Sequence, residues 1–187
     1  MKVQKTPIHG LLVIEDEPRS DHRGSFTEIF TTRAFIELDL EFDVKQVNSS
    51  RSLKAGTIRG MHWQEYPKGQ TKLVRCIDGR VWDVIVDIRP HSETYRQHYG
   101  IVLSPGDGKS IYIPRGLAHG WQALKDNSEI VYIVGGCGWE PSRERGVRPL
   151  DPKLKIAWPA YPHIVSERDA AWPLFGKSKE RDHGDRD

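Results

Sequence analysis

The sequence predicts an all-β sandwich or barrel with a little helix at its edges. Three observations lead there. Short segments rich in β-branched and aromatic residues recur along the chain, with turn residues between them. One segment alone reads as helix. The 187 residues carry no internal repeat and no linker, a length that suits one core or a sandwich with a cavity. The strand candidates, in order, are LLVIEDEP from Leu11, SFTEIF from Ser25, VKQVNSS from Val44, RGMHWQ from Arg59, KLVRCI from Lys72, RVWDVIVDIR from Arg80, YRQHYGIVLS from Tyr95, KSIYIP from Lys109 and EIVYIV from Glu129. The helix candidate is TTRAFIELDL, residues 31–40, with Thr31 or Thr32 as candidate N-cap and Phe35, Ile36 and Leu38 close together. GKSKERDHGDRD, from Gly176, lacks any apolar residue and reads as a frayed end. The expected organisation is one domain over 1–176 and a polar tail over 177–187.

Composition narrows the class. Hydrophobic residues make up 37% and charged residues 29%, which excludes a collagenous or broadly disordered chain. The net charge of +2 gives no nucleic-acid footprint. Cys76 and Cys137 stand far apart and nothing else looks secreted, so both are expected as reduced thiols. MKVQKTPIHG lacks the apolar region of a signal peptide, and no apolar run approaches membrane length. A cytoplasmic protein without membrane partners is expected.

CIDGRV is the sharpest local signal. Asp78-Gly79 between apolar runs predicts a two-residue type I′ hairpin, with Ile77 paired to Arg80 and Val74 to Asp83. Lys72, Val74, Cys76, Val81, Asp83, Ile85 and Asp87 would then share one face, and Leu73, Trp82, Val84, Val86 and Ile88 the other. Charges on a sheet face are ordinarily solvated; here the apolar residues beside Lys72 and Asp83 also suit a cavity wall. Gln46, Asn48, Ser50 and Ser52 recur at period two, which fits either a polar edge strand or a row of ligand-facing donors and acceptors.

His62 in RGMHWQ and His119 in AHGW each sit beside a glycine or an aromatic residue. A lone histidine is more often structural; two in matching settings point to a shared pocket. Arg59 and His62 are three positions apart, so a regular strand would aim them to opposite faces. A bulge at Gly60 would turn both inward. No metal is expected, because Trp63-Gln64 follow His62 where metal-binding barrels carry a second close histidine.

The ordered motifs DHRGSFTEIF, QVNSSRS, GTIRGMHWQ, QTKLVRCIDGRVWDVIVDIRPHSETY, IYIPRGLAHGW, IVYIV, LDPKLKIAWP and SERD resemble the dTDP-4-dehydrorhamnose 3,5-epimerase family over about Gly10 to Pro173. The resemblance implies a cupin jelly roll, a double-stranded β-helix. It further implies a homodimer without cofactor or metal, acting on a nucleotide-diphosphate sugar whose ring carries a 4-ketone and a 6-deoxy carbon. Carried over by position, His62 is the general base, Asp169 its orienting carboxylate, Lys72 the stabiliser of the enolate and Tyr132 the acid on the opposite face. Arg23, Phe26, Glu28, Gln46, Asn48, Arg59, His119, Trp139, Glu144 and Arg168 bind substrate, with Arg23 and its neighbours reaching in from the partner subunit.

Elementary chemistry suits these residue types. A hydrogen beside a ketone is a weak carbon acid, so a base must take it while the enolate is stabilised. Neutral imidazole accepts protons near pH 7, and a carboxylate favours the imidazolium that forms. Guanidinium matches phosphate oxygens. Some positions depart from the family pattern: Trp63 and Trp121 replace Tyr and Phe, Arg168 replaces Lys, and IVGGCGWEPSRERG replaces a tyrosine pair. An apparent one-residue insertion there sets Gly138 or Trp139 opposite the second tyrosine. The alternatives are therefore a single-centre 3- or 5-epimerase and a binding module without catalysis.

Overall fold

The computed structural model describes residues 1–40 and 42–176; the segment expected as a polar tail lies outside the described residues. Two antiparallel sheets carry the architecture. One has the strand order β1 (Lys2–Lys5), β2 (Leu12–Glu15), β10 (Lys109–Ile113), β7 (Gln70–Asp78), β12 (Ser128–Gly136) and β5 (Val44–Ser52). The other runs β13 (Glu144–Gly146), β6 (Thr57–Gln64), β11 (Leu117–Ala123), β8 (Val81–Asp87) and β9 (His98–Leu103). From β5 to β8 and from β9 to β13 the chain alternates between the sheets, which is the winding of a double-stranded β-helix. A hairpin of β3 (Arg19–Asp21) and β4 (Gly24–Phe26) stands apart. α1 (Thr32–Glu37) is capped by Thr31, whose side chain accepts from the Ala34 N–H.

Burial explains the layering. Val74, Cys76, Val81, Ile85, Ile111, Trp121 and Ile130, drawn from both sheets, fill the space between them. Outside the six-stranded sheet, Ile14, Leu73 and Tyr112 pack under Phe35 and Phe42. Outside the other sheet, Ile58, Met61, Val84, Val86 and Ala118 lie beneath Val147, Leu154, Trp158 and Phe175 of the C-terminal arm. β8 is thus buried on both faces, as its nearly continuous apolar run requires.

The CIDGRV hairpin does not form. β7 and β8 lie in different sheets, so Ile77–Arg80 and Val74–Asp83 are not cross-strand pairs. Gly79 does take a positive φ of 70°. The Arg80 backbone, however, is taken by buried Ser128, whose Oγ accepts from its N–H at 3.1 Å and donates to its C=O at 2.9 Å. The expected single face is therefore split: Lys72, Val74 and Cys76 belong to one sheet and Val81, Asp83 and Ile85 to the other, and they meet across the sandwich.

Asp87 leaves that group. It is fully buried at the end of β8, where its carboxylate accepts from Arg89 Nη2 (2.7 Å), Ser92 Oγ (2.6 Å) and Thr94 Oγ1 (2.6 Å). Burial pushes its pKa up, but the Arg89, Ser92 and Thr94 contacts outweigh burial and hold it well below the usual carboxylate range. A depressed folded pKa contributes stability above the unfolded value of about 4, lost as pH falls through the folded value. Asp87→Asn is expected to cost about 3 kcal/mol at pH 7. Urea unfolding at pH 7 and pH 3 checks this: the gap to wild type narrows at the lower pH.

Candidate active site

A cavity of about 440 Å³ opens between the sheets at one end, within the range of small-ligand sites. β6 supplies its most reactive group. His119 on β11 faces His62 and Trp121 faces Arg59, so two residues of β6, Gly60 and Met61, stand opposite one of β11, Gly120. The bulge expected at Gly60 is therefore present, and Arg59 and His62 both line the cavity. Gly60 has φ 120°, and a Cβ there would lie 2.6 Å from Gly120 Cα and 2.7 Å from the His119 carbonyl oxygen.

The carboxylate beside His62 arrives from the far end of the chain. β14 (Ile164–Val165) pairs in parallel with Thr57 and Ile58 of β6, and α2 (Glu167–Ala171) follows at once. Ser166 caps α2 by accepting from the Asp169 N–H. Buried Asp169 accepts from the Gly60 N–H at 3.2 Å and meets His62 Nε2 at 2.6 Å. Burial pushes the Asp169 carboxyl up, but the His62 contact, reinforced by Gly60 and Ser166, holds it below its usual value. An ionised carboxylate only accepts, so it fixes the proton on Nε2 and leaves the Nδ1 lone pair of neutral His62 available.

Lys72 of β7 and Tyr132 of β12 line the same cavity. Burial pushes the Lys72 ammonium pKa down, opposed by the charges of Glu144 and Asp83. Burial pushes the Tyr132 phenol up, opposed by Arg59 and by a hydrogen bond with Asn48. The period-two row of β5 resolves in favour of both readings: β5 is an edge strand, yet Gln46, Asn48 and Ser50 line the cavity. Ser52, next in the row, is buried and accepts from Arg59 Nε at 3.0 Å.

His119, Trp139, Glu144 and Arg168 complete the wall. At the displaced segment Trp139, not Gly138, faces the cavity; the Gly138 carbonyl accepts from Gln64. Trp139 Nε1 donates to Glu144 Oε2 at 3.2 Å, and Arg168 pairs with the same carboxylate. Arg23, Phe26 and Glu28 do not line this cavity. Arg23 is exposed and paired with Asp21, while Phe26 and Glu28 border a separate groove beside α1.

Three residues that sequence reasoning left without a role also stand out. Fully buried Asp83 holds His119 Nε2 with both oxygens, at 2.9 and 3.1 Å. Gln64 pins the cavity rim, accepting from the Glu140 N–H at 2.8 Å. Gln70 lines the wall two positions before Lys72. Period two from His62 and from Lys72 was the available signal for Gln64 and Gln70. Among the described residues no cluster of three or more His, Cys, Asp or Glu side chains is placed to hold a metal, and no helix is long and apolar enough to cross a membrane.

Comparison with known proteins identifies the family. The family model for dTDP-4-dehydrorhamnose 3,5-epimerase matches residues 5–177. An enzyme of that name from Mycolicibacterium smegmatis is 39% identical over 96% of this chain and 88% of its own length. A dTDP-4-dehydrorhamnose 3-epimerase from Streptomyces niveus is 34% identical over 96% of this chain and 86% of its own length. The crystal structure of the Legionella pneumophila dTDP-6-deoxy-D-glucose-3,5-epimerase, in complex with dTDP-4-keto-L-rhamnose, superposes with a TM-score of 0.87 at 36% identity and covers 92% of each chain. Matching fold, matching length and a family model spanning nearly all the described residues lead to one conclusion: the chain belongs to the dTDP-4-dehydrorhamnose 3,5-epimerase family, isomerases built on the cupin jelly roll.

Proposed function

We propose that the protein converts dTDP-4-dehydro-6-deoxyglucose to dTDP-4-dehydrorhamnose, inverting the carbons on either side of the ketone. The observation that carries this is one cavity holding an Asp-oriented imidazole, an ammonium and a phenol. His62 Nδ1 takes the proton beside the ketone, and the C–H electron pair moves onto the ketone oxygen. Lys72 stabilises that enolate, more strongly in a water-poor cavity than in water. Tyr132 delivers a proton to the opposite face, and repetition on the other side of the ketone inverts the second centre. Arg59 and Arg168 suit the diphosphate; Gln46, Asn48, His119, Trp139 and Glu144 suit the sugar and its surroundings. The reading includes a cytoplasmic homodimer in which Arg23, Phe26 and Glu28 enter the partner's cavity, which fits their distance from the cavity of their own chain.

A second reading is single-centre epimerisation, favoured by Trp139 at the displaced segment of the sugar wall and by the 3-epimerase among the relatives. Proton NMR of the substrate with enzyme in deuterated water separates the two. Deuterium entering at both C3 and C5 supports the double epimerase, entry at one carbon supports the alternative, and no entry at either overturns both. In the same assay Tyr132→Phe is expected to lower inversion about 100-fold while deuterium exchange through His62 continues at a reduced rate.

A further inference from the structure

We propose that Gln46 and Asn48, beyond holding substrate, are positioning residues that aim the Tyr132 proton at the sugar through a one-way chain of hydrogen bonds starting at the Trp139 backbone. The inference rests on the function proposed above. Side-chain amides can ordinarily be turned either way, because oxygen and nitrogen are close in size. Here the first donor removes that freedom. The Trp139 backbone N–H donates to Gln46 Oε1 at 3.3 Å, and a backbone N–H has no acceptor form. The Gln46 NH2 is thereby directed along β5, where Nε2 donates to Asn48 Oδ1 at 2.7 Å.

The Asn48 oxygen is then occupied on the Gln46 side, and its NH2 is the group left for the next partner. The side chain it meets is Tyr132, directly opposite Asn48 in the β5–β12 register, with both residues on the cavity wall. An amide NH2 only donates, so toward that group the phenol oxygen can act only as acceptor. Its own O–H is turned away from β5, into the cavity that it lines with His62 and Lys72.

The arrangement serves the proton's departure as well as its direction. On one face of the sugar the C–H bond breaks and its proton goes to His62, giving imidazolium and enolate. On the other face a C–H bond forms with the Tyr132 proton, giving tyrosinate. Water then takes the His62 proton and returns one to Tyr132, so no other reactant is needed. Burial disfavours the tyrosinate; the Asn48 donor and the Arg59 charge offset that. The segment that departs most from the family pattern thus supplies, through its backbone, the start of the chain.

The test compares two products in deuterated water: sugar that has been inverted, and sugar that has exchanged its proton but kept its configuration. Asn48→Leu removes the donor to Tyr132. Gln46→Glu leaves the Trp139 contact but accepts from Asn48 too, which turns the Asn48 oxygen toward the phenol to draw its proton off the sugar. Both variants are expected to lower the inverted-to-retained ratio about 10-fold, whatever they do to KM, and to leave it unchanged in a Tyr132→Phe background. A ratio equal to wild type in both variants, with exchange and inversion falling together, overturns the positioning role and leaves the epimerase reading standing. Absence of exchange in the wild-type enzyme is the separate result that defeats that reading.

Discussion

His62→Gln is expected to lower turnover about 1,000-fold, within the span general-base catalysis supplies, while the protein keeps its fold. Glutamine approximates the size of the ring and retains a hydrogen-bonding amide beside Asp169, but it takes no proton near neutral pH. Exchange and inversion should fall together, because both need the proton removed first. Tyr132→Phe, by contrast, separates them. Measuring deuterium entry and product configuration in one NMR sample distinguishes the two patterns. His62→Gln with full exchange would mean that another group is the base; His119, held by Asp83 across the strand pair, is the one the geometry places nearest in kind.

Gly60→Ala is the second large effect. The added methyl would meet Gly120 Cα and the His119 carbonyl oxygen at 2.6 and 2.7 Å, both backbone atoms of the adjoining strand. φ of 120° is also unfavourable for any residue with a side chain. A loss of about 3 kcal/mol is expected from strain and clash together. Urea unfolding measures that loss. Activity at a temperature where the variant is still folded should fall further than stability explains, because the bulge turns both Arg59 and His62 toward the cavity. Gly106→Ala is the comparison: φ is 80°, but nothing lies within 4 Å of the added atom, so strain acts without the clash. Equal losses from both substitutions would show that the close approach to β11 contributes nothing.

What was legible in the sequence followed from local periodicity. The β5 row and the Gly60 bulge each depend on residues a few positions apart, and each is present. The failures have long-range causes. Asp78-Gly79 carries a strong hairpin cue, but Ser128, far along the chain, takes the Arg80 backbone and sends the next strand into the other sheet. LAHGWQA is a strand that propensity missed, since it has no β-branched residue and is buried along its whole length. α2 is five residues long, too short to show a period. His62 and Asp169 stand 107 positions apart, so only the family resemblance connected them before the fold did. Arg23, Phe26 and Glu28 stand away from the cavity of their own chain, so the resemblance that grouped them with the other site residues is not matched by a contact within one chain.

The parallel pairing of β14 with β6 ties the His62 contact to the seating of the C-terminal arm. The two sheets hold His62, Lys72 and Tyr132, while Asp169 belongs to the C-terminal arm, which packs Val147, Leu154, Trp158 and Phe175 against the outer surface of the second sheet. Docking the arm and completing the dyad are one event. A molecule whose arm has come loose would lack the carboxylate beside His62. By thermodynamic reciprocity, a substrate that strengthens the contact between His62 and Asp169 also clamps the arm. Substitutions that loosen the arm's packing, away from the cavity, are therefore expected to weaken the contact between His62 and Asp169.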